Sequence, residues 1–474
     1  MNFLIRLLII LFLAAPAFAG VHTAASCNQP DIDATISAVK ADGQPLPIMV
    51  VPMGNCPTTV ISAPKAIILQ GAGKGLTTVA TINIGNTGAR ATGFTVTNAA
   101  GGPESPLVLA EGQGWRFDHS QCVNVKGVGP QGANSSNCVF ATGQVSGQHP
   151  TGLIDHVEAI DARFMIFGNG RNDWSEPSTV GVAGASGVVT IEDSSITSTL
   201  YGNCFDLMLT ARITFRKNKT RGCWYEAHSK QVDSRNGRSW EIYDNIIELD
   251  PSLPGSWIAM FLRGGTGVVF NNTFVGQGSG AHLVGIDNGS FPITAYPMTD
   301  QIGRGRDLPD ATQQLEPAYF WNNKRADGTA VNPVVLNGHD SLIQVNRDYF
   351  LSARPNYTPT PYPHPLQGGS IPIPPQPQPE PNQPPVLTFR APSNLQVITV
   401  KNFKISVEST DDTGVTWQEL SINGQVVKAA ATATMTYSWN TAPYKGKGPV
   451  VIKAVARDAD GSSSEQTRTV TVRK

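Results

Sequence analysis

Short runs of alternating apolar and polar residues recur along the first 350 positions, and each ends in a polar pair. They read "FTVTN" from Phe94, "WRFDHS" from Trp115, "LIDHVE" from Leu153, "VTIEDSSI" from Val189, "ITFRKNKT" from Ile213, "WEIYDNII" from Trp240, "VVFNNTF" from Val268 and "AYFWNNK" from Ala318. The polar pairs return every 21 to 50 residues or so. That spacing is the mark of a solenoid. One coil cannot enclose a core, but stacked coils pair their strands through backbone hydrogen bonds and share one apolar column. Asn, Asp and His are the non-glycine residues that best tolerate left-handed backbone angles, so they suit a sharp turn between strands. Asp155–His156 therefore reads as a coil corner, aligned with Asp244–Asn245 and Asn271–Asn272. Stacked Asn side chains at such corners can satisfy one another along the axis.

The same pattern sets the limits of the solenoid. Long helices do not alternate with the strands, which argues against a doubly wound α/β sheet. In "DIDATISAVKADG", Ile32, Ile36 and Val39 share one helical face, so a short amphipathic helix is expected to cap the N-terminal opening. Insertions between His119 and Asp155, between Asp155 and Asp193, and around 275–317 are the expected walls of any cleft. Past residue 353 the composition changes. Residues 354–385 form a linker whose core, "IPIPPQPQPEPNQPP", is more than half proline and predicts an extended spacer. Residues 386–474 carry several short alternating strands punctuated by "ING" and "DADG", the pattern of a β-sandwich. The expected fold is all-β: a parallel β-helix over 20–353, followed by a small β-sandwich.

Composition adds the compartment. The first twenty residues, "MNFLIRLLIILFLAAPAFAG", have a basic start at Arg6, an apolar core and an Ala17-Phe18-Ala19 cleavage site. The run is short for a bilayer span and Pro16 interrupts it, so a signal peptide over 1–19 and a secreted chain beginning near Gly20 are expected. Export permits disulfides. Six cysteines are present, and sequential pairing (Cys27–Cys56, Cys122–Cys138, Cys204–Cys223) is the preferred scheme, since each pair brackets a short loop. They show no CxxC spacing, which argues against zinc. Charged residues make up 15% of the chain and the net charge is -1. That leaves no overall field to draw in nucleic acid or an anionic membrane, and no membrane span is expected.

Several of these stretches carry a resemblance. The Cys–helix–"VPMGNC" opening, "LQGAGKGLTTV", the "DH" and "NNTF" corners and "FLRGGTGVVFNN" resemble secreted bacterial right-handed parallel β-helix proteins of the pectin-lyase-like superfamily, over about residues 26–350. "GLIDH" is similar to a WIDH-type motif of pectate lyases. The resemblance implies a fold that hosts lyases, glycosidases, epimerases and non-enzymes. The chain departs from it in lacking the R-x-P-x-x-R segment of those lyases and the N-T-D and G-H-G set of polygalacturonases. The tail resembles bacterial immunoglobulin-like domains, with Trp417 and Trp439 as expected core aromatics. Calcium is a candidate ligand for Asp411, Asp412, Asp458 and Asp460, although such carboxylates more often cap turns.

A β-helix offers long ridged faces suited to an extended polymer, and the expected partner is a polysaccharide or cell-surface glycan. The densest polar stretch is "FRKNKTRGCWYEAHS", with Arg216, Trp224, Tyr225, Glu226 and His228. "NGRNDW" adds Arg171, Asp173 and Trp174, and "FLRGG" adds Arg263. For β-elimination on a uronate, His228 is the candidate base and Arg263 or Arg216 the carboxylate clamp. Calcium is a candidate cofactor for that chemistry. For hydrolysis, Glu226 would pair with Asp206 or Asp173. Simple outward strand positions, ion-paired to Arg221 or Arg263, are the plainer reading of Glu226 and His228. A non-catalytic glycan-binding or adhesion protein is the alternative function. No phosphate loop, HExxH or GxSxG is present.

Overall fold

The computed structural model describes residues 20–473 apart from 86–87, 99–105, 126–135, 170–173, 177, 183–184, 229–234, 254–257, 277–281, 287–295, 297–298, 311, 369–383, 412–413 and 460; it also leaves out the side chains of Leu200 and 282–286. The expected leader, and Arg171 and Asp173, lie outside the described residues. The chain divides into two compact units, Met1–Ile373 and Pro374–Lys474.

The first unit is the expected β-helix. Among the described residues, a 12-stranded parallel sheet and a 16-stranded sheet run the length of the coil. Parallel register stacks one residue of each rung on the same residue of the next. The inward column Met49–Leu69–Ala91–Phe117–Ile154 continues as Ile191–Phe215–Ile242–Val269–Phe320. All ten are buried, and they belong to one apolar cluster reaching from Ala24 to Tyr349. The helix Gln29–Ala41 closes the first coil, burying Ile32 and Val39 and packing Ile36 against the same cluster. All three expected disulfides form, Cys27–Cys56, Cys122–Cys138 and Cys204–Cys223. The first ties the residue just before the capping helix to the strand Gly54–Ser62.

The corners follow the predicted chemistry with a corrected register. His119, His156, Asp193, Lys217, Asp244, Asn271 and Asn322 all have φ between 46° and 58°. His156 thus corresponds to Asp244 and Asn271, while Asp155 stacks in the strand column Asp155–Glu192–Arg216–Tyr243–Phe270. "FTVTN" also moves: its corner is Gly93, and Thr95–Thr97 is a strand of the other sheet. The residue after each of the corners Lys217, Asp244, Asn271 and Asn322 forms an amide ladder. Asn218, Asn245 and Asn272 each donate a backbone N–H to the Asn Oδ1 one rung on, at 2.9–3.1 Å. Their Nδ2 groups, with that of Asn323, donate to carbonyls of the preceding rung at 2.9–3.0 Å. Every ladder amide is buried, so these side chains satisfy backbone groups that water cannot reach.

The second unit is a sandwich of a three-stranded and a five-stranded sheet, antiparallel except for the pair Val397–Ile398 and Ser463–Val472. Trp439 is in its core. Trp417 is not: the alternation turns the neighbouring Gln418 inward, and Trp417 lies under the Arg457 guanidinium at 4.9 Å. Asp458 accepts the Ser462 backbone N–H at 2.8 Å, the turn-capping role. Asp412 and Asp460 lie outside the described residues.

Truncating the ladder at Asn245→Ala leaves buried N–H and C=O groups without partners. Urea titration should show a loss of about 1–3 kcal/mol, whereas the exposed corner substitution Asn271→Gly, at φ 56°, should stay within about 0.5 kcal/mol.

Candidate functional site

Four of the residues singled out from the sequence meet on the 16-stranded sheet. In "CWYEAH" the strand Lys219–Ala227 alternates: Trp224 and Glu226 face out and Tyr225 and Ala227 face in. His228 follows in the outward phase. The neighbouring strand Ser195–Met208 has a register shift between Asn203 and Phe205. Cys204 and Phe205 both point into the core there, and the extra residue returns Asp206 to the outer face, stacked on Glu226. The Cys204–Cys223 disulfide crosses these strands beside Asn203 and Trp224, fixing their register at the site. On the next rung Glu226 pairs with Phe261, and Arg263 stands just past the end of Ile258–Leu262.

The side chains converge tightly. His228 Nδ1 lies 3.2 Å from Asp206 Oδ1 and 3.6 Å from Glu226 Oε1. Glu226 Oε1 also accepts from Arg263, and its Oε2 accepts Asn203 Nδ2 at 2.6 Å and Trp224 Nε1 at 3.0 Å. Arg163 Nη1 reaches Asp206 Oδ2 at 3.6 Å and Asn203 Oδ1 at 3.2 Å. Asp206, Glu226, Asn203 and Arg263 are buried, and His228 is the more accessible member at 21%. One ligand atom from each of Asp206, Glu226 and His228 lies within 4.8 Å of the others, so the trio could hold a cation. Arg221 turns instead to Glu248 and Asp250.

Other expected residues sit elsewhere. Tyr225 is fully buried in the core between Phe205 and Phe215, and burial drives its phenol pKa up. The outward phase shared by Trp224 and Glu226 excludes it from any groove. Trp174 is also buried, between the guanidiniums of Arg235 and Arg238 at 5.0 and 4.9 Å. Arg216 belongs to the other sheet, is wholly buried, and pairs with Glu192 at 2.6 Å and the Tyr243 hydroxyl at 2.9 Å. Sequence reasoning missed Asn203 and Arg163. Asn203 escaped because the shift at Cys204 breaks simple alternation; the outward phase of "ARFMIF" could have pointed to Arg163.

The 12-stranded sheet has its own covering. Residues 354–367, expected as the start of the spacer, instead form a strap on its outer face. Tyr357 donates its hydroxyl to Glu241 and packs edge-on against Phe270 and Trp321. Arg216 donates to the carbonyls of Thr360 at 2.5 Å and Pro361 at 2.7 Å. Glu192 accepts the His364 N–H at 2.9 Å and Gln367 Nε2 at 2.6 Å, and Arg116 reaches the Leu366 carbonyl at 3.0 Å. The buried charges of this sheet thus find backbone partners in the strap, which compensates their desolvation.

Residues 385–472 match the bacterial Ig domain family. No curated protein matches the chain. Among solved structures, the chain is similar to fibronectin(III)-like modules of Clostridium thermocellum CbhA, with 24% identity over 19% of this chain and 96% of the module and a TM-score of 0.17. It is also similar to an engineered protein, with 12% identity over 55% of this chain and 65% of that one and a TM-score of 0.15. The protein is therefore a disulfide-bonded β-helix protein that carries a bacterial immunoglobulin-like domain. Among the described residues no helix is long and apolar enough to cross a membrane.

The strap has a built-in pH dependence. Burial, with the nearby Arg216 charge, lowers the His364 pKa from 6.5 to about 4, and its Nδ1 accepts the Leu366 N–H at 3.2 Å. A histidine whose folded pKa is depressed stabilises the docked form above the free value, and that stability is lost as pH falls from 6.5 towards about 4. Arg116, Asp155, Glu192 and Arg216 also surround it, so the control is His364→Asn. Measured against the intrinsic exchange rate at each pH, the protection of the Tyr362, His364, Leu366 and Gln367 amides should fall over that window in the native protein, and this extra loss of protection should vanish in the variant.

Proposed function

We propose that the protein is an exported carbohydrate-active β-helix protein that cleaves an acidic polysaccharide by β-elimination at the Asp206–Glu226–His228–Arg263 cluster. The observation that carries this reading is the convergence of a histidine, two carboxylates and an arginine on one outer face. Three disulfides and a bacterial Ig domain are consistent with an extracellular setting. The motifs resembling the pectin-lyase-like superfamily support the same substrate class.

The roles follow from the contacts. Asp206 at His228 Nδ1 favours the tautomer protonated there, which makes Nε2 the basic nitrogen. That nitrogen takes the proton α to a uronate carboxylate. The carbon–oxygen bond at the β position then breaks, a carbon–carbon double bond forms, and the departing oxygen takes up a proton. Arg263, oriented by Glu226, supplies positive charge for the carboxylate as negative charge develops on it. Hydrolysis fits less well, because both buried carboxylates are already engaged, Asp206 by Arg163 and His228 and Glu226 by Arg263, Asn203 and Trp224, whereas hydrolysis needs both to face the glycosidic bond.

The mutual pairing of these buried side chains favours a second reading, a non-catalytic glycan-binding protein. A polysaccharide panel followed by absorbance of the unsaturated uronate, with a parallel reducing-sugar assay, separates the alternatives. Growth of the band means elimination, reducing ends alone mean hydrolysis, and binding without either means the second reading. His228→Ala should slow elimination by at least about 10²-fold with an unchanged melting temperature. Full activity in that variant would reject His228 as the base.

A further inference from the structure

A second polar site lies at the entry to the 12-stranded sheet, away from the Asp206–Glu226 cluster. A cleft of about 400 Å³ is lined by Gln113, Gln148, His149, Asn169, Glu176 and Arg212, among others. Beneath it, a hole of about 10 Å³ is bounded by Trp174, Arg212, Arg238 and His149, room for about one water-sized atom. The loops that build this place are the insertions that follow His119 and Asp155, which the sequence marked as cleft walls.

The electrostatics are unbalanced. Arg212 and Arg238 have side chains only 6% and 1% exposed. Among the described residues, Arg212 Nε and Arg238 Nε and Nη1 are buried without a hydrogen-bond partner. Arg238 holds Glu316 at 3.2 Å, and that carboxylate is shared with Arg354. Arg212 is met by Glu176 at 2.9 Å, whose side chain is 52% exposed, and His149 Nε2 lies 3.7 Å from the same oxygen. Arg235 contributes nothing here because Asp300 and Asp307 hold it. Burial lowers the pKa of both Arg212 and Arg238, as expected of charges with too few partners. A buried guanidinium with unused donors is costly unless an anion completes it.

We propose that this cleft binds a ligand carboxylate on a hydroxyl-rich molecule such as a uronate, with Glu176 occupying the carboxylate's place until the ligand displaces it. The carboxylate oxygens meet Arg212 and reach towards Arg238, and the exposed Gln148 amide at the rim faces the hydroxyls. The carboxylate requirement stands on the two arginines alone; the saccharide part rests on the proposed function. The cleft then grips an acidic chain at a point separate from the bond being cleaved.

Calorimetric titration of the full chain with galacturonate, and with galactose as its neutral counterpart, tests this. Galacturonate should bind and galactose should not. Glu176→Gln removes the internal competitor and should tighten galacturonate several-fold. Arg212→Gln should weaken it about tenfold. The absorbance assay for elimination is run separately on the unmodified chain, so absence of elimination is read apart from absence of galacturonate binding here. Equal titration by the two sugars, no saturation by galacturonate, or an unchanged affinity in Glu176→Gln overturns the proposal. The exposed Glu176 variant keeps the test decisive even if Arg212→Gln fails to fold.

Discussion

Parallel, in-register stacking governs this molecule. Each rung sits about 4.8 Å from the next, so every side chain lies directly over its counterpart. Apolar positions gain from this, because Ile191 over Phe215 over Ile242 makes a dry column without further design. Polar positions are constrained by it. A buried amide serves such a column where the neighbouring rungs also supply hydrogen-bonding groups, as Asn218, Asn245, Asn272 and Asn323 do, and as Ser194 does one rung earlier. Even the exposed corners obey: His119 and His156 stack with ring centroids 4.6 Å apart, each held by the aspartate before it.

Charge makes the constraint costly. Like charges on adjacent rungs repel at short range, so each such pair needs opposite charges beside it. Asp118 over Asp155 is held by Arg90 and Arg116. Asp206 over Glu226 is held by Arg163 and Arg263, with His228 Nδ1 hydrogen-bonded to Asp206. The same geometry that forces the two carboxylates together also draws in the histidine and arginines that give the cluster its chemical potential. The Cys204–Cys223 bond, beside the register shift, keeps that juxtaposition from slipping.

The repeat was legible in the sequence because periodicity two and recurrent corner residues survive without any knowledge of neighbours. Its phase was less so. In "IDHV" and "YDNI" an aspartate precedes the turn in one and occupies it in the other, and only the stacked strands show that His156, not Asp155, matches Asp244. The same phase, applied strictly, would have put Tyr225 in the core. Glu226, His228, Arg263 and Asp206 could be named from residue type, but their contact depends on one inserted residue at Cys204. Arg216 misled because adjacency in the chain is not adjacency in a coil: a corner at Lys217 puts it on a different sheet from Glu226. The strap was hidden by its composition, since proline-rich sequence reads as spacer whether or not a row of buried charges is waiting for its carbonyls.

The strap runs back along the coil, from Tyr357 near Trp321 to Leu366 at Arg116. Its far end continues into the proline-rich stretch and the sandwich. Tension arriving from that side therefore falls first on Leu366 and Gln367, and loads their bonds to Arg116 and Glu192 one after another. A pull from that side therefore reaches the last rungs of the coil only after the contacts from Gln367 back to Tyr357 have let go.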